Sequence, residues 1–312
     1  AVEAPKAVPS TLKWAGIESG EFHTCGLTTP GNEVYCWGQG FQTGLEGDGT
    51  QVATSPTMVG GGPWESLTAG ASHTCAVEAG GKGYCWGEEL EGRLGNEVLE
   101  PTAVPTEVSG GRSWKELSGG HFHTCGLTLT DHLYCWGQGG EGQLGNGRVE
   151  DQISPVLVAG GNSWKRISAG RFHTCGISAM GDAFCWGRGE FNQLGNGSTS
   201  SQTSPVKVAG GHEWIEISAG QVHSCAVDVN QKLYCWGQGG FVGLGEFGSS
   251  TPAVVLPAYD WVAVQTRGIH TCAITANEET YCCGSNAFGQ LGIGNTYDFE
   301  VPRMVFRGVI LP

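Results

Sequence analysis

The chain has 312 residues with a formal net charge of −14, and only 15% of its residues are charged. Hydrophobic residues make up 39%, alongside 54 glycines, 13 prolines, 13 cysteines and 11 tryptophans, so a core can be buried and a disordered chain is excluded. No Gly-X-Y period exists, which excludes collagen, no apolar run reaches the ~18–20 residues of a membrane-spanning helix, and the acidic balance argues against a nucleic-acid surface.

From the N-terminus, "AVEAPKAVPS" lacks an initiator Met and a signal h-region, and reads as a mature or trimmed product. A repeat then begins at Trp14. The segment typified by "HTCGLTLTDHLYCWGQGGEGQLGNG" recurs six times, its first cysteines at Cys25, Cys75, Cys125, Cys175, Cys225 and Cys272. Trp14, Trp64, Trp114, Trp164, Trp214 and Trp261 each stand nine residues before a His. There is no linker and no shift in composition, so the expectation is one domain over 1–312.

Within each copy four short strands are predicted. "WKELSGG" alternates Trp114 and Leu117 with polar residues and ends in glycine, as a strand entering a tight turn does. "HTCGLTL" and "HLYCWG" are β-rich runs joined by a polar turn at Thr130–Asp131. "SPVLV" opens with a proline, which lacks an N–H and suits a sheet edge. Four strands per ~40–50 residues is the spacing of a propeller blade, so the fold class expected is an all-β, six-bladed β-propeller of four-stranded blades. A β-solenoid would use shorter repeats. Both Pro5–Val8 and Pro302–Val305 match the proline-led strand. The expectation is that one of them completes the blade joining the two termini, as a clasp closing the ring.

The pattern G-x-x-H-T-x-x-L…Y-x-W-G…G-Q-L-G-N-G resembles the regulator-of-chromosome-condensation repeat, over a span from Pro5 to Val305. The resemblance implies a propeller. It departs from the best-known members, which have seven blades, and from intracellular members, which lack a cysteine pair in every blade. The family's functions range over nuclear exchange factors, a plant UV-B photoreceptor, ligase-associated scaffolds and a secreted bacterial β-lactamase inhibitory protein, so the resemblance carries the fold and not one activity. A photoreceptor would need tryptophans after the glycine turn. Those positions hold Glu21, Ala71, His121, Arg171, Gln221 and Gly268.

The cysteines pair by register. Folding the third hairpin about Thr130 sets Cys125 opposite Cys135 and Leu127 opposite Leu133, within disulfide reach. The same holds for Cys25/Cys36, Cys75/Cys85, Cys175/Cys185, Cys225/Cys235 and Cys272/Cys282. Six bridges imply an oxidising, secreted or cell-surface setting. Reduced buried thiols or zinc sites from the repeated His-x-Cys are the alternatives. Cys283 is left over, in the slot where other copies carry Trp37, Trp86, Trp136, Trp186 and Trp236; it reads as a small buried hydrophobe, with a reactive thiol as the alternative. The repeat histidines, His23, His73, His123, His173, His223 and His270, most simply bond a neighbouring backbone, with a metal ring as the alternative.

No Gly-x-Ser-x-Gly, His-Glu-x-x-His or Gly-x-x-x-x-Gly-Lys motif occurs, and "EGDGT" is only a fragment of a calcium loop. A non-catalytic protein-binding module without cofactor or metal is therefore expected. A glycan-binding propeller is the alternative, and an enzyme with a site at the ring mouth follows after it. Glycan binding predicts the same loop aromatic in every copy, whereas the connections, such as Gly38–Ser55 and Gly187–Ser204, differ strongly. Their aromatics fall unevenly: Phe41, Phe191, Phe241, Phe247, Phe288, Tyr297 and Phe299. With Arg188 these are the candidate partner-binding residues, expected to form one arc.

Overall fold

Two cysteines that face each other across a hairpin fix the centre of every blade. In the third copy, strands His123–Thr128 and Leu133–Gly137 pair antiparallel with Cys125 opposite Cys135 and Leu127 opposite Leu133, the register expected from the sequence. Asp131 takes a left-handed conformation (φ 60°) at the turn, a region that Asp tolerates better than most residues. Strand Trp114–Gly119 adds on one side and Gln152–Leu157 on the other, so the proline-led strand lies at the edge.

A computed structural model describes residues 12–44 and 51–307. The fold is a six-bladed β-propeller with four antiparallel strands in each blade. Among the described residues there is no α-helix, only one 3-10 turn at Phe41–Thr43. The described residues group into two compact units, one holding blades one to three and the other blades four to six. Each sheet consists of four strands consecutive in the chain. Pro302–Val305 lies in Phe299–Arg307, the fourth strand of blade six, and Pro5–Val8 lies outside the described residues.

Six disulfides join the predicted pairs, with Cα–Cα distances of 4.0 Å in the third blade and 4.1 Å in the others. Within each unit, the bridges of blades one, two, four and five sit where one blade meets the next. Cys25 and Cys36, with Val34 and Val59, share a buried cluster with Trp64 and Trp86 of blade two. Cys75 and Cys85 do the same with Trp114 and Trp136, and Cys175 and Cys185 with Trp214 and Trp236. Within a blade the two tryptophans are tilted against each other, with ring centroids 5.5 Å apart for Trp114 and Trp136. A large aromatic buried this completely contributes several kcal/mol, so the tryptophans are inter-blade packing.

The glycine after the second tryptophan has a specific cause. Gly137 has φ 99°, and a Cβ there would lie 2.7 Å from the Phe122 carbonyl oxygen. Only glycine permits the chain to leave the hairpin at that bend.

By the chain-entropy relation each bridge, closing a loop of about ten residues, adds about 2–3 kcal/mol. In denaturant without reductant the chain is expected to take up one equivalent of iodoacetamide, at Cys283, and thirteen after reduction. A second equivalent before reduction, read by intact mass, would show an open bridge.

Candidate functional site

Four of the repeat histidines reach from one blade to the next within their unit. His23 Nε2 lies 2.8 Å from Thr74 Oγ1, and His73 Nε2 lies 2.8 Å from Thr124 Oγ1. In the other unit His173 Nε2 meets Ser224 Oγ and His223 Nε2 meets Thr271 Oγ1, both at 2.8 Å. The hydroxyl proton is already used: Thr74 donates to the Gln42 carbonyl (3.1 Å), Thr124 to Arg93 (2.7 Å), Ser224 to Gln193 (2.9 Å) and Thr271 to Phe241 (3.0 Å). Each of these four histidines must therefore donate from Nε2, as the neutral Nε2–H tautomer does. Burial agrees, pushing His123 and His223 down to about 3. The partner is thus a neighbouring blade's hydroxyl, not the neighbouring backbone expected from sequence. Among the described residues no group of three or more His, Cys, Asp and Glu side chains is placed to hold a metal ion.

In blades one, two, four and five the glycine three residues before the histidine is required by the same contact. A Cβ on Gly70 would lie 2.2 Å from His73 Cε1 and 2.6 Å from the Gly120 carbonyl oxygen. Methyl groups there would push the imidazole off its hydroxyl.

The loop carbonyl receives a second donor, the indole of the next blade. Trp86 Nε1 donates to Gln42 O (3.1 Å), Trp136 Nε1 to Arg93 O (3.0 Å) and Trp236 Nε1 to Gln193 O (2.9 Å). Cys283 occupies this slot in blade six. It is 2% exposed, and its Sγ lies 3.8 Å from Phe241 O. Burial pushes its thiol up to about 12, so it is a weak donor filling a tryptophan's place rather than a reactive nucleophile.

The candidate recognition residues divide by exposure. Phe247, Phe288 and Tyr297 are 82%, 93% and 74% exposed. Phe41, Phe191, Phe241 and Phe299 are half-buried. Phe241 occupies the position of Gln143 in a loop two residues shorter, and its ring centroid lies 6.4 Å from that of His223. Arg188 stacks over Phe172 (5.6 Å) and Phe191 (5.3 Å) and pairs with Glu190, so its charge is already engaged. Phe299 packs under Arg303, 5.2 Å above its ring.

The exposed three stand on ordered backbone. Asn286 is buried and ties its loop together, donating from Nδ2 to Asn295 O (2.8 Å) and accepting from Leu291 N–H (3.0 Å). Its own N–H donates to Asp298 (2.7 Å), and Tyr297 N–H donates to Asn295 Oδ1 (3.0 Å). Phe288 and Tyr297 are thus held outward from a braced loop. The blade-five loop carrying Phe247 joins it through Gly245 N–H to Glu300 O, at 3.1 Å. Sequence reasoning missed Asn286, although it replaces the glycine that other copies carry as Gly139, Gly189 and Gly239.

Two family profiles described as the Regulator of chromosome condensation (RCC1) repeat match the chain, one at residues 130–177 and 180–227, the other at 14–42, 114–143, 164–193 and 214–241. Among solved structures the chain is similar to human WBSCR16, at 21% identity and TM-score 0.88, covering 97% of this chain and 85% of that one. It is similar to yeast RCC1 (Prp20), whose structure was determined with Kap60 bound, at 21% identity and TM-score 0.83, covering 94% and 74%. The ectodomain of the Physcomitrella patens receptor kinase CR4 matches at 23% identity and TM-score 0.62, covering 89% and 63%.

The buried histidines predict an acid sensitivity. The folded pKa of His123, His223 and His270 lies below the ordinary 6.5 because burial disfavours the charged form, so the unfolded chain binds protons that the folded one does not, and stability is full above pH 6.5 and falls as pH drops. Denaturant unfolding is expected to weaken already between pH 6.5 and 5, above the carboxylate range, and a flat profile there would contradict the assignment. Thr124→Val leaves His73 Nε2–H and the Arg93 carbonyl each without this partner, and should cost about 1–3 kcal/mol in the same assay.

Proposed function

The chain belongs to the regulator of chromosome condensation repeat family, and from that premise we propose that it is a protein-binding propeller of an oxidising compartment, with no catalytic activity of its own. All six blades, over 1–312, act in this reading as one domain. The observation that carries it is the braced loop of blade six. It presents Phe288 and Tyr297 to solvent beside a blade-five loop that presents Phe247. Exposed aromatics fixed on a rigid scaffold lose little conformational entropy on binding, which is why such residues dominate binding energetics.

Other propellers of this fold bind proteins: yeast RCC1 was determined with Kap60 bound, and Prp20p was characterised for binding to Gsp1p and histones. A nucleic-acid partner is disfavoured here by the net charge of −14. A glycan-binding role fits less well, because the fully exposed loop aromatics are confined to two copies rather than repeated in each. Six intrachain disulfides are compatible with an oxidising setting; secretion or display at a cell surface is part of the proposal.

The test is capture of the native partner from the secreted fraction, read by mass spectrometry. Phe247→Ala, Phe288→Ala and Tyr297→Ala are together expected to weaken capture by about 2 kcal/mol or more and to leave the thermal melt unchanged. Phe241→Ala should instead lower the melt, because its ring packs on His223. Undiminished capture by the triple variant, or saturable binding on a glycan array, would reject the reading.

A further inference from the structure

Two departures from the repeat meet in one groove of the unit holding blades one to three. In the third, fourth and sixth copies the glutamine ahead of the loop's Leu-Gly turns back on its own loop. Oε1 of Gln143, Gln193 and Gln290 accepts from the N–H of Glu141 (2.9 Å), Phe191 (2.9 Å) and Phe288 (3.0 Å). The first copy's loop is two residues shorter, running from Gly38 to Gly44 where the third runs from Gly137 to Gly145. The N–H two residues ahead of Gln42 is that of Gly40, and it donates to Gln51 O instead, at 3.1 Å. Gln42, 3% exposed, is left with a buried Oε1 that has no hydrogen-bond partner.

In the second copy the same position is Arg93, 2% exposed. Its Nε and Nη1 donate to the carbonyls of Leu90 (3.2 Å) and His121 (3.1 Å), but Nη2 is buried and makes no hydrogen bond. Buried polar groups are nearly always satisfied, so an unmatched donor and an unmatched acceptor in residues that line one groove demand an explanation. Both side chains line one groove of 310 Å³ between blades one and two, with Phe22, Leu90 and Glu88. Phe22 and Leu90 are more than half exposed and form its apolar rim.

The charges select the ligand. Glu89, Glu91 and Glu88 act on Arg93, and Glu89 is already held by the N–H groups of Gly92 (2.6 Å) and Leu94 (2.9 Å). A carboxylate entering the groove would meet Glu88. A neutral group that both accepts and donates, carried on an apolar neighbour, would not.

We propose that this groove is a subsite for a side-chain carboxamide, Asn or Gln, presented by a protein partner beside an apolar residue. The carboxamide oxygen accepts from Arg93 Nη2, its NH₂ donates to Gln42 Oε1, and the apolar neighbour lies between Phe22 and Leu90. The inference rests on the protein-binding reading only for the source of the carboxamide.

The test is an NMR titration of the full chain with acetyl-Leu-Gln-N-methylamide, following the backbone amides of Gly40 and Ser72, which also line the groove. Saturable shifts are expected, with acetyl-Leu-Glu-N-methylamide and acetyl-Leu-Leu-N-methylamide at least tenfold weaker. Arg93→Gln restores the residue found in other copies and keeps the carbonyl that Trp136 and Thr124 use; it should weaken binding at least tenfold in a chain whose amide spectrum remains that of the folded protein. Gln42→Met is the second variant, with the same expected loss. No saturable shift, equal binding of the Glu or Leu peptide, or unchanged binding by both variants would overturn the proposal and leave water as the groove's occupant. The titration does not read the loops of blades five and six, so its failure and the failure of partner capture are separate results.

Discussion

A loop carbonyl oxygen turned toward the next blade of the same unit is the constraint on which the rest depends. At Gln42, Arg93 and Gln193 that oxygen accepts an indole N–H and a hydroxyl from the neighbouring blade, and the hydroxyl in turn holds the histidine of its own carbonyl's blade. Three polar groups are thereby satisfied in a buried seam. Were any of them missing, the others would stand buried and unpaired, at a cost of about 1–3 kcal/mol each. The repeat keeps His and Thr or Ser throughout, and this Trp in every blade but the sixth, for that reason. It is free in the side chain of the residue that offers the carbonyl, because only its backbone takes part. Gln, Arg and Phe all occur there.

The disulfide completes the same seam from the apolar side. The cystines of blades one, two and four each close their own hairpin and lie under the tryptophan pair of the next blade. Hairpin rigidity and blade-to-blade packing thus share atoms. With the seam held this way, the connection between the third and fourth strands is relieved of structural work beyond its first residues and can vary in length and chemistry. Variation in blade six brought in Asn286, which braces a loop with two solvent-facing aromatic residues. In blades one and two it left Gln42 and Arg93 unmatched over a groove. Both departures sit on scaffold that cannot easily relax, which is what a recognition surface requires.

The register of the hairpins was legible in the residues because an antiparallel pair has a period of two and a short turn admits one alignment. Setting Cys125 against Cys135 from the position of Thr130 left no other freedom. Blade number, strand count, the edge position of the proline-led strand and the six cystines follow from the same arithmetic on local pattern. The histidine was misassigned in its partner, because a sequence shows that a polar group follows a glycine turn but not that a hydroxyl about fifty residues away closes over it. The loop aromatics were legible as a set, yet their exposure was not: Phe241 and Phe288 look alike in sequence and differ in what stands beside them.

The sequence by itself determined the all-β six-bladed fold, the pairing of twelve cysteines and the singularity of Cys283, since these depend on spacing along the chain and on chemistry that repeats with it. Only the tertiary structure decided that His23 and its counterparts donate across a seam, that Asn286 braces its loop, and that Gln42 and Arg93 keep a free acceptor and donor over one groove. Those outcomes depend on which atoms of different blades come within about 3 Å, a distance set by packing and by loop length acting together.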